Sequence, residues 1–586
     1  MTPLDDSLKA LKKNPGQWRA FQQQGHCVVV APPGSGKTKL LTTRFVVDML
    51  TKVDPPHGAA CVTLTNAAAD EIRERVAVLG VPGRANVFIG TVHSFTLNSI
   101  LRPFANVADL SHVLDRRIAG KAEQEQAFKY AMTQEFFTRR ESYTVRSTIE
   151  TYRRRFVSDE MWARVPKIRR VADAYLRYLK QHNLVDFDEI IATAVHLAET
   201  VPAVRRVIGA KYRRLYVDEY QDLAPALDRL VRALCFDNQS STTLFAVGDP
   251  DQSIYGWTGS RPELLDELTR KPGVATVPLE ENYRSGAGIL QVAELLRKRA
   301  GRRPMSTSRS GGVVTATLCR GGLLDQCNVA AAQIASWHSS GTPLHEVGVI
   351  APTNAHCREV EQAFRRHNIP ILVRGESYRL TQSTSLIEDA AAWALLGREA
   401  SGHRLGLLLR RWRGCLGSRW TREADVKFLA QLFDFEGRAD DPAHLFISGL
   451  LDLGLREADT STTASEDHDE ILRMERAYKG GELAQASSAV LAERGRRLNR
   501  IEGLTMSSCK GLEFEKVCIL GLDQKQVPHF NSLDDEQKLA EDRRKVYVAV
   551  TRARSSVSIF YSGFVQWSRS IDHAGPSQFL REMRLI

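Results

Sequence analysis

The chain has 586 residues, 43% of them hydrophobic, a formal net charge of +11 and an isoelectric point near 9.2. That length exceeds what one hydrophobic core supports, so several domains are expected; no apolar run approaches the ~20 residues that cross a bilayer, and the start lacks a basic-then-apolar leader, so the expectation is a cytoplasmic protein with no membrane partner. The positive balance suits a polyanion, because each phosphate neutralised by Lys or Arg releases counterions.

In chain order, residues 27–30 form a short apolar run that predicts a buried strand, followed by a Pro/Gly-rich loop and a helix over 38–50. A strand over 60–64, a helix over 67–78 and a strand over 87–90 continue the alternation expected of a parallel sheet with crossover helices. Between about 97 and 205 the pattern becomes charged and helical, with helices expected over 122–140 and 168–181, before strands resume at 214–217 and 243–247. A second α/β texture runs over 313–374, with strands at 347–351 and 371–373, and returns at 501–522 and 557–561; residues 380–500 between them are mostly helical. The fold class is therefore α/β, with two parallel-sheet cores, each interrupted by a helical insertion. The Thr-, Ser- and acid-rich stretch 459–469 predicts a loop, and the arginine runs at 153–155 and 410–413 read as solvated helix faces. The nine cysteines, of which Cys319 and Cys327 are the closest pair, lack zinc-ligand spacing and read as reduced thiols.

Ala31-Pro32-Pro33-Gly34-Ser35-Gly36-Lys37-Thr38, followed by Lys39, lies between a predicted strand and a predicted helix, as a phosphate-binding loop requires. Glycines let backbone N–H groups turn toward phosphate, the helix N-terminus adds its dipole, Lys37 meets the β- and γ-phosphates of ATP, and the Thr38 hydroxyl ligates Mg²⁺. Such a loop needs a carboxylate at the end of a neighbouring strand. The run Leu215-Tyr216-Val217 delivers Asp218, which holds Mg²⁺, and Glu219, which polarises the attacking water.

Taken with their surroundings, these motifs resemble superfamily 1 DNA helicases of the UvrD, Rep and PcrA type over nearly the whole chain. That resemblance implies two RecA-like cores: 1–97 with 205–278, and 279–379 with 500–586. It implies insertions at 98–204 and 380–499. It also implies that Gln17 in Asn14-Pro15-Gly16-Gln17 reads adenine; that Gln252 in Gly248-Asp249-Pro250-Asp251-Gln252 senses the γ-phosphate; and that Tyr255 and Trp257 face DNA. From Glu281-Asn282-Tyr283-Arg284, Tyr283 is expected to stack on adenine and Arg284 to reach the γ-phosphate. Arg552, in Tyr547-Val548-Ala549-Val550-Thr551-Arg552, is expected to be a second such arginine, and Glu513, in Lys510-Gly511-Leu512-Glu513, to lie near the nucleotide. Thr65, Asn66, Thr91 and His93 are expected to contact the strand. The implied activity is ATP-dependent 3′ to 5′ movement on single-stranded DNA and at single-strand/duplex junctions.

Three positions depart from the family pattern: Leu64 in place of phenylalanine, Thr258 in place of arginine with Arg261 nearby, and Ser507 in place of histidine. None touches the ATP set. Two other readings stay open. One is a translocase subunit of a nuclease or phage-defence complex that unwinds little alone, suggested by the short second insertion. The other is an interaction protein that keeps the fold without catalysis. Repair, plasmid replication and phage defence are all compatible with these residues.

Overall fold

The computed structural model describes residues 2–586 except 82–85, 109, 136, 138–140, 239, 300, 302, 374–376, 379, 457–461, 497 and 568–569. The chain divides into two compact units, Met1–Tyr283 with Arg299–Ser306, and Arg284–Lys298 with Thr307–Ile586.

In the first unit, β1 (His26–Val30), β2 (Gly58–Thr63), β3 (Val87–Thr91), β4 (Tyr212–Val217), β5 (Thr243–Gly248) and β6 (Val274–Pro278) form one sheet in the order β3-β2-β4-β5-β1-β6. Every neighbouring pair is parallel. The side-chain period of two explains why the central strands are apolar throughout. Val28, Ala60, Val62, Leu215 and Val217 enter one core, whereas Cys27, Val29, Ala59, Cys61 and Tyr216 enter another on the opposite face.

His26 opens β1, and its Nδ1 accepts a hydrogen bond from the Leu244 N–H at 3.1 Å. Burial, then Lys271 and Arg214, push the imidazole below its ordinary range. The neutral ring is thus the folded form, and its contribution is present above the unfolded pKa and lost as pH falls through it. The loss of thermal midpoint between pH 7 and pH 5 is expected to be smaller in His26→Gln than in the wild type, as read by calorimetry.

Between β3 and β4 the helices Lys121–Thr133, Ser142–Arg155 and Pro166–Gln181 form the helical insertion, whereas Phe187–Thr200 packs into the core of the sheet. The insertion's own core is centred on Phe128, stacked on Tyr175 at 4.1 Å, with Val145, Ile149 and Leu179. The helix expected over 122–140 ends at Thr133, and part of the remainder lies outside the described residues. The arginine run is not a solvated face: Arg153 donates to both oxygens of the buried Asp186 at 2.5 and 2.7 Å, and Arg154 donates to Asp188 at 3.1 Å. Asp186 also accepts from the Tyr175 hydroxyl at 3.0 Å and caps the following helix through the Glu189 N–H at 2.9 Å. Removing one side of a buried pair strands the other, so Arg153→Met is expected to cost about 3–5 kcal/mol in urea unfolding.

The second unit repeats the plan. β7 (Val313–Leu318), β8 (Val347–Ala351), β9 (Ile371–Val373), β10 (Ile501–Thr505), β11 (Phe514–Ile519) and β12 (Ala553–Tyr561) form a parallel sheet in the order β9-β10-β8-β11-β12-β7. Six helices from Gln382–Ser401 to Ser488–Gly495 surround a separate core in which Trp412 stacks on Phe428 at 4.7 Å. Of the loop expected over 459–469, residues 459–461 lie outside the described set, and the rest belongs to the helix Thr462–Lys479. Ile471, Met474 and Tyr478, spaced three and four apart, pin that helix into the core. In the second arginine run Arg410 is exposed, but Arg411 pairs with Asp389 and Arg413 donates to Asp425 at 3.0 Å. Eight of the nine cysteines are buried and Cys415 is half-buried. Among the described residues no helix is long and apolar enough to cross a membrane.

Candidate functional site

β1 runs into the loop that precedes the helix Lys37–Thr51. Gly34 and Gly36 have φ of 67° and 79°, the left-handed region that glycine enters without a Cβ penalty. A Cβ on Gly36 would also lie 2.7 Å from the Gln17 Nε2, so the position is closed to side chains twice over. Ala31, which replaces the motif's first glycine, is fully buried among Leu40, Leu41 and Val247, so its methyl group fills core rather than the loop interior. Lys37 is the first helical residue and its Nζ donates to the Ala31 carbonyl at 3.1 Å. Thr38 and Lys39 follow on the first turn, half-buried.

The loop is clamped from outside. Gln17 donates to the Ser35 carbonyl at 2.7 Å, Ser35 donates to the Pro32 carbonyl at 2.7 Å, and the Asn282 amide donates to the Pro33 carbonyl at 2.7 Å. The Tyr283 N–H donates to the Gly34 carbonyl at 2.8 Å. The Tyr283 hydroxyl accepts from the Asn14 amide at 2.6 Å, which places a 43% exposed ring beside the Gln17 helix. Asn14 and Asn282 were legible only as parts of motif strings; their clamping role emerges from these bonds.

Asp218 and Glu219 leave the carboxyl end of β4, next to β5 in the sheet. Asp218 is buried and accepts the Glu219 N–H at 3.0 Å. Burial first, then the Glu219 charge, hold its carboxyl up at about 7, opposed by Lys37. Glu219 has φ of 52°, left-handed for a non-glycine residue, a conformation that costs about 1–2 kcal/mol and that its surroundings must enforce. Its carboxylate accepts from the Nε2 of Gln221, a fully buried residue.

After β5, Asp249 accepts from the Gln252 amide at 2.8 Å, and Gln252 is buried. Tyr255 and Trp257 follow, their rings edge to face with centroids 6.4 Å apart, and Trp257 is 61% exposed. Thr65 and Thr91 sit just beyond β2 and at the end of β3, and each caps the helix that follows it, accepting from Ala68 at 3.2 Å and from Ser94 at 3.1 Å. Asn66 begins the first of those helices, and His93 lies edge-on to Phe187 at 5.9 Å. Leu64 packs half-buried against the core rather than presenting a platform, and Arg261 pairs with Glu263 at 3.8 Å. The strand order thus sets the candidate strand-contacting residues, the acidic pair and the phosphate loop side by side along the carboxyl edge of one sheet, where open α/β sheets bind ligands.

The second unit carries the remaining candidates. Arg284 donates to Glu513 at 2.8 Å and to the Thr551 carbonyl at 3.3 Å; Arg554 donates to the other Glu513 oxygen at 2.9 Å. The two arginines hold the Glu513 carboxyl below its usual range against the effect of burial. Arg552 is only 2% exposed, its guanidinium donating to the carbonyls of Val548 at 2.9 Å and Leu512 at 3.3 Å. Arg284, Glu513 and Arg552 therefore form one cluster. Ser507 lies in the turn after β10, half-buried.

Comparison with known proteins matches the UvrD/REP helicase N-terminal domain over residues 13–272 and the UvrD-like helicase C-terminal domain over residues 456–563. The chain belongs to the UvrD/Rep helicase family. Its relatives include DNA helicase II of Escherichia coli, 26% identical over 630 residues that cover 96% of this chain and 85% of that protein. They also include the ATP-dependent DNA helicase PcrA of Staphylococcus epidermidis, at 26% over 622 residues, and that of Staphylococcus aureus, at 25% over 621. Each alignment covers 96% of this chain and 84% of the relative. The helicase family and the two parallel-sheet α/β cores agree with the motifs.

Proposed function

We propose that this DNA helicase is an ATP-driven motor that moves 3′ to 5′ along single-stranded DNA and displaces the complementary strand at a junction. The observation that carries the reading is the carboxyl edge of the first sheet, where a phosphate loop, a buried aspartate, a strained glutamate and an exposed tryptophan loop follow adjacent strands. In this reading the loop from Ala31 to Lys39 cradles ATP, Gln17 and Tyr283 face the adenine, Glu219 activates water, and Gln252 reads the γ-phosphate. Arg284 and Arg552 stabilise charge on the transferred phosphoryl group, with Glu513 beside the nucleotide. Thr65, Asn66, Thr91, His93, Tyr255 and Trp257 grip the strand by backbone and base-face contacts, so sequence preference is weak.

Thr38 and Asp218 fit a Mg²⁺ site. Asp218 is a buried carboxyl whose charge is disfavoured where it stands, and a divalent cation would restore it. Bound there, the cation supplies charge neutralisation to the phosphates. The four-part division expected from the sequence, with insertions at 98–204 and 380–499, belongs to the same reading.

Phosphate release with and without single-stranded DNA, and displacement of 3′- against 5′-tailed duplexes, test it. Stimulation by DNA and preference for the 3′ tail are expected; ATP hydrolysis indifferent to DNA would overturn it. A translocase subunit that works inside a nuclease or defence complex is the second reading, favoured by the compact six-helix second insertion. Efficient displacement by the isolated chain would exclude it.

A further inference from the structure

We propose that Gln221 is a positioning residue that ties Glu219 to the chain following β5, so that the water-activating carboxylate and the strand-contacting aromatics are set by one buried amide. The inference rests on the ATPase reading above.

Gln221 lies on the one-turn helix Tyr220–Asp222, directly after Glu219, and is fully buried. The two ends of its amide serve different segments. Nε2 donates to the Glu219 carboxylate, and Oε1 accepts from the Asp249 N–H at 2.8 Å. A carboxylate needs a donor and a backbone N–H an acceptor; a primary amide offers both from one rigid plane. The backbone joins in, since the Gln221 carbonyl accepts from the Ser253 hydroxyl at 3.2 Å. Three bonds therefore run from the Gln221 neighbourhood to the two segments, two of them reaching residues 249–253.

Packing removes slack. A Cβ on Gly248 would lie 2.5 Å from Gln221 Oε1 and 2.9 Å from the Leu265 side chain, so the amide fills the space a side chain there would need. A shift of the chain at 248–249 must move the amide, and the amide is hydrogen-bonded to the Glu219 carboxylate. On the other side, Asp249 passes the constraint forward. Its Oδ1 accepts the Asp251 N–H at 3.0 Å and its Oδ2 the Gln252 amide at 2.8 Å, with Tyr255 and the exposed Trp257 next in the chain. A strand pressing on those rings thus reaches Glu219 through the chain from 257 back to 252 and then a short run of hydrogen bonds.

The test compares wild type, Gln221→Glu, Gln221→Met and Glu219→Gln by steady-state phosphate release, with and without a thymidine oligonucleotide. Gln221→Glu keeps the Asp249 contact and sets two carboxylates against each other; Gln221→Met fills the slot and removes both bonds. For both Gln221 variants the ratio of DNA-stimulated to basal rate is expected to fall by about tenfold or more, with the KM for ATP within about threefold of wild type. That ratio does not depend on the folded fraction, so a merely structural role would leave it unchanged. If either folded variant keeps the wild-type ratio while Glu219→Gln is inactive, the coupling role is overturned and the ATPase reading stands. If both variants lack a cooperative thermal transition, the amide is structural and the proposal fails. If the wild type is not stimulated by DNA, or Glu219→Gln hydrolyses ATP as fast as wild type, the ATPase reading itself fails and takes this inference with it.

Discussion

Arg284→Ala is expected to lower the DNA-stimulated kcat by about 10³-fold or more, the range associated with a guanidinium that meets a transferring phosphoryl group. ATP affinity should stay within a few-fold of wild type, because the groups proposed to cradle the phosphates, Lys37, Thr38 and the loop backbone, lie in the other unit. Arg284 is a cleaner probe than Arg552. Its guanidinium is held by a carboxylate and one carbonyl, whereas Arg552 is buried against carbonyls of its own unit, so truncating Arg552 would mix stability with chemistry. Arg284→Lys should not rescue the rate, since an ammonium cannot reproduce the planar two-pronged contact. Single-turnover hydrolysis with saturating single-stranded DNA separates the outcomes, and an unimpaired rate in Arg284→Ala would remove it from the chemistry.

Glu219→Gln should reduce kcat by about 10²- to 10⁴-fold, the usual worth of a positioned general base. The substitution is nearly isosteric, and its side-chain carbonyl can still accept from Gln221, so the left-handed turn is expected to persist. Nucleotide and DNA binding should therefore survive. The measurement is a pair of titrations, fluorescent ATP analogue and labelled oligonucleotide, set beside phosphate release. Loss of binding in parallel with loss of rate would assign Glu219 to structure instead.

Both α/β cores were legible because their central strands are buried on two faces and read as unbroken apolar runs, as in Cys27-Val28-Val29-Val30. The edge strand β6 was not. Val274–Pro278 is half-exposed, ends in proline and is only five residues long, so its signal is weak. The arginines of the Ser142–Arg155 helix were misread for a different reason. A charge run looks the same whether it meets water or carboxylates, and Asp186 and Asp188 lie some thirty residues downstream, brought close only by the fold. The loop expected over 459–469 followed from its Ser, Thr and acid content, while the apolar spacing that holds the helix begins only at Ile471. The phosphate loop and acidic pair were readable because their chemistry is local. Gln221 was visible as a letter between Tyr220 and Asp222, but its meaning depends on Asp249, a contact between neighbouring strands' ends that no local pattern encodes.

The strand order of the second sheet bears on how the protein is made. β12 is the last of the six strands to be synthesised, yet it lies inside the sheet, between β11 and β7. Until Ala553–Tyr561 has left the ribosome, β7 has no partner and β11 keeps an open edge. Ribosomes add about 5–20 residues per second, so the roughly 240 residues from Val313 to Ala553 leave β7 waiting on the order of 10–50 s. Unpaired parallel edges of this kind are templates for intermolecular pairing. The nascent chain is accordingly expected to depend on holdase chaperones, and premature termination before residue 553 to yield aggregates rather than a smaller folded protein.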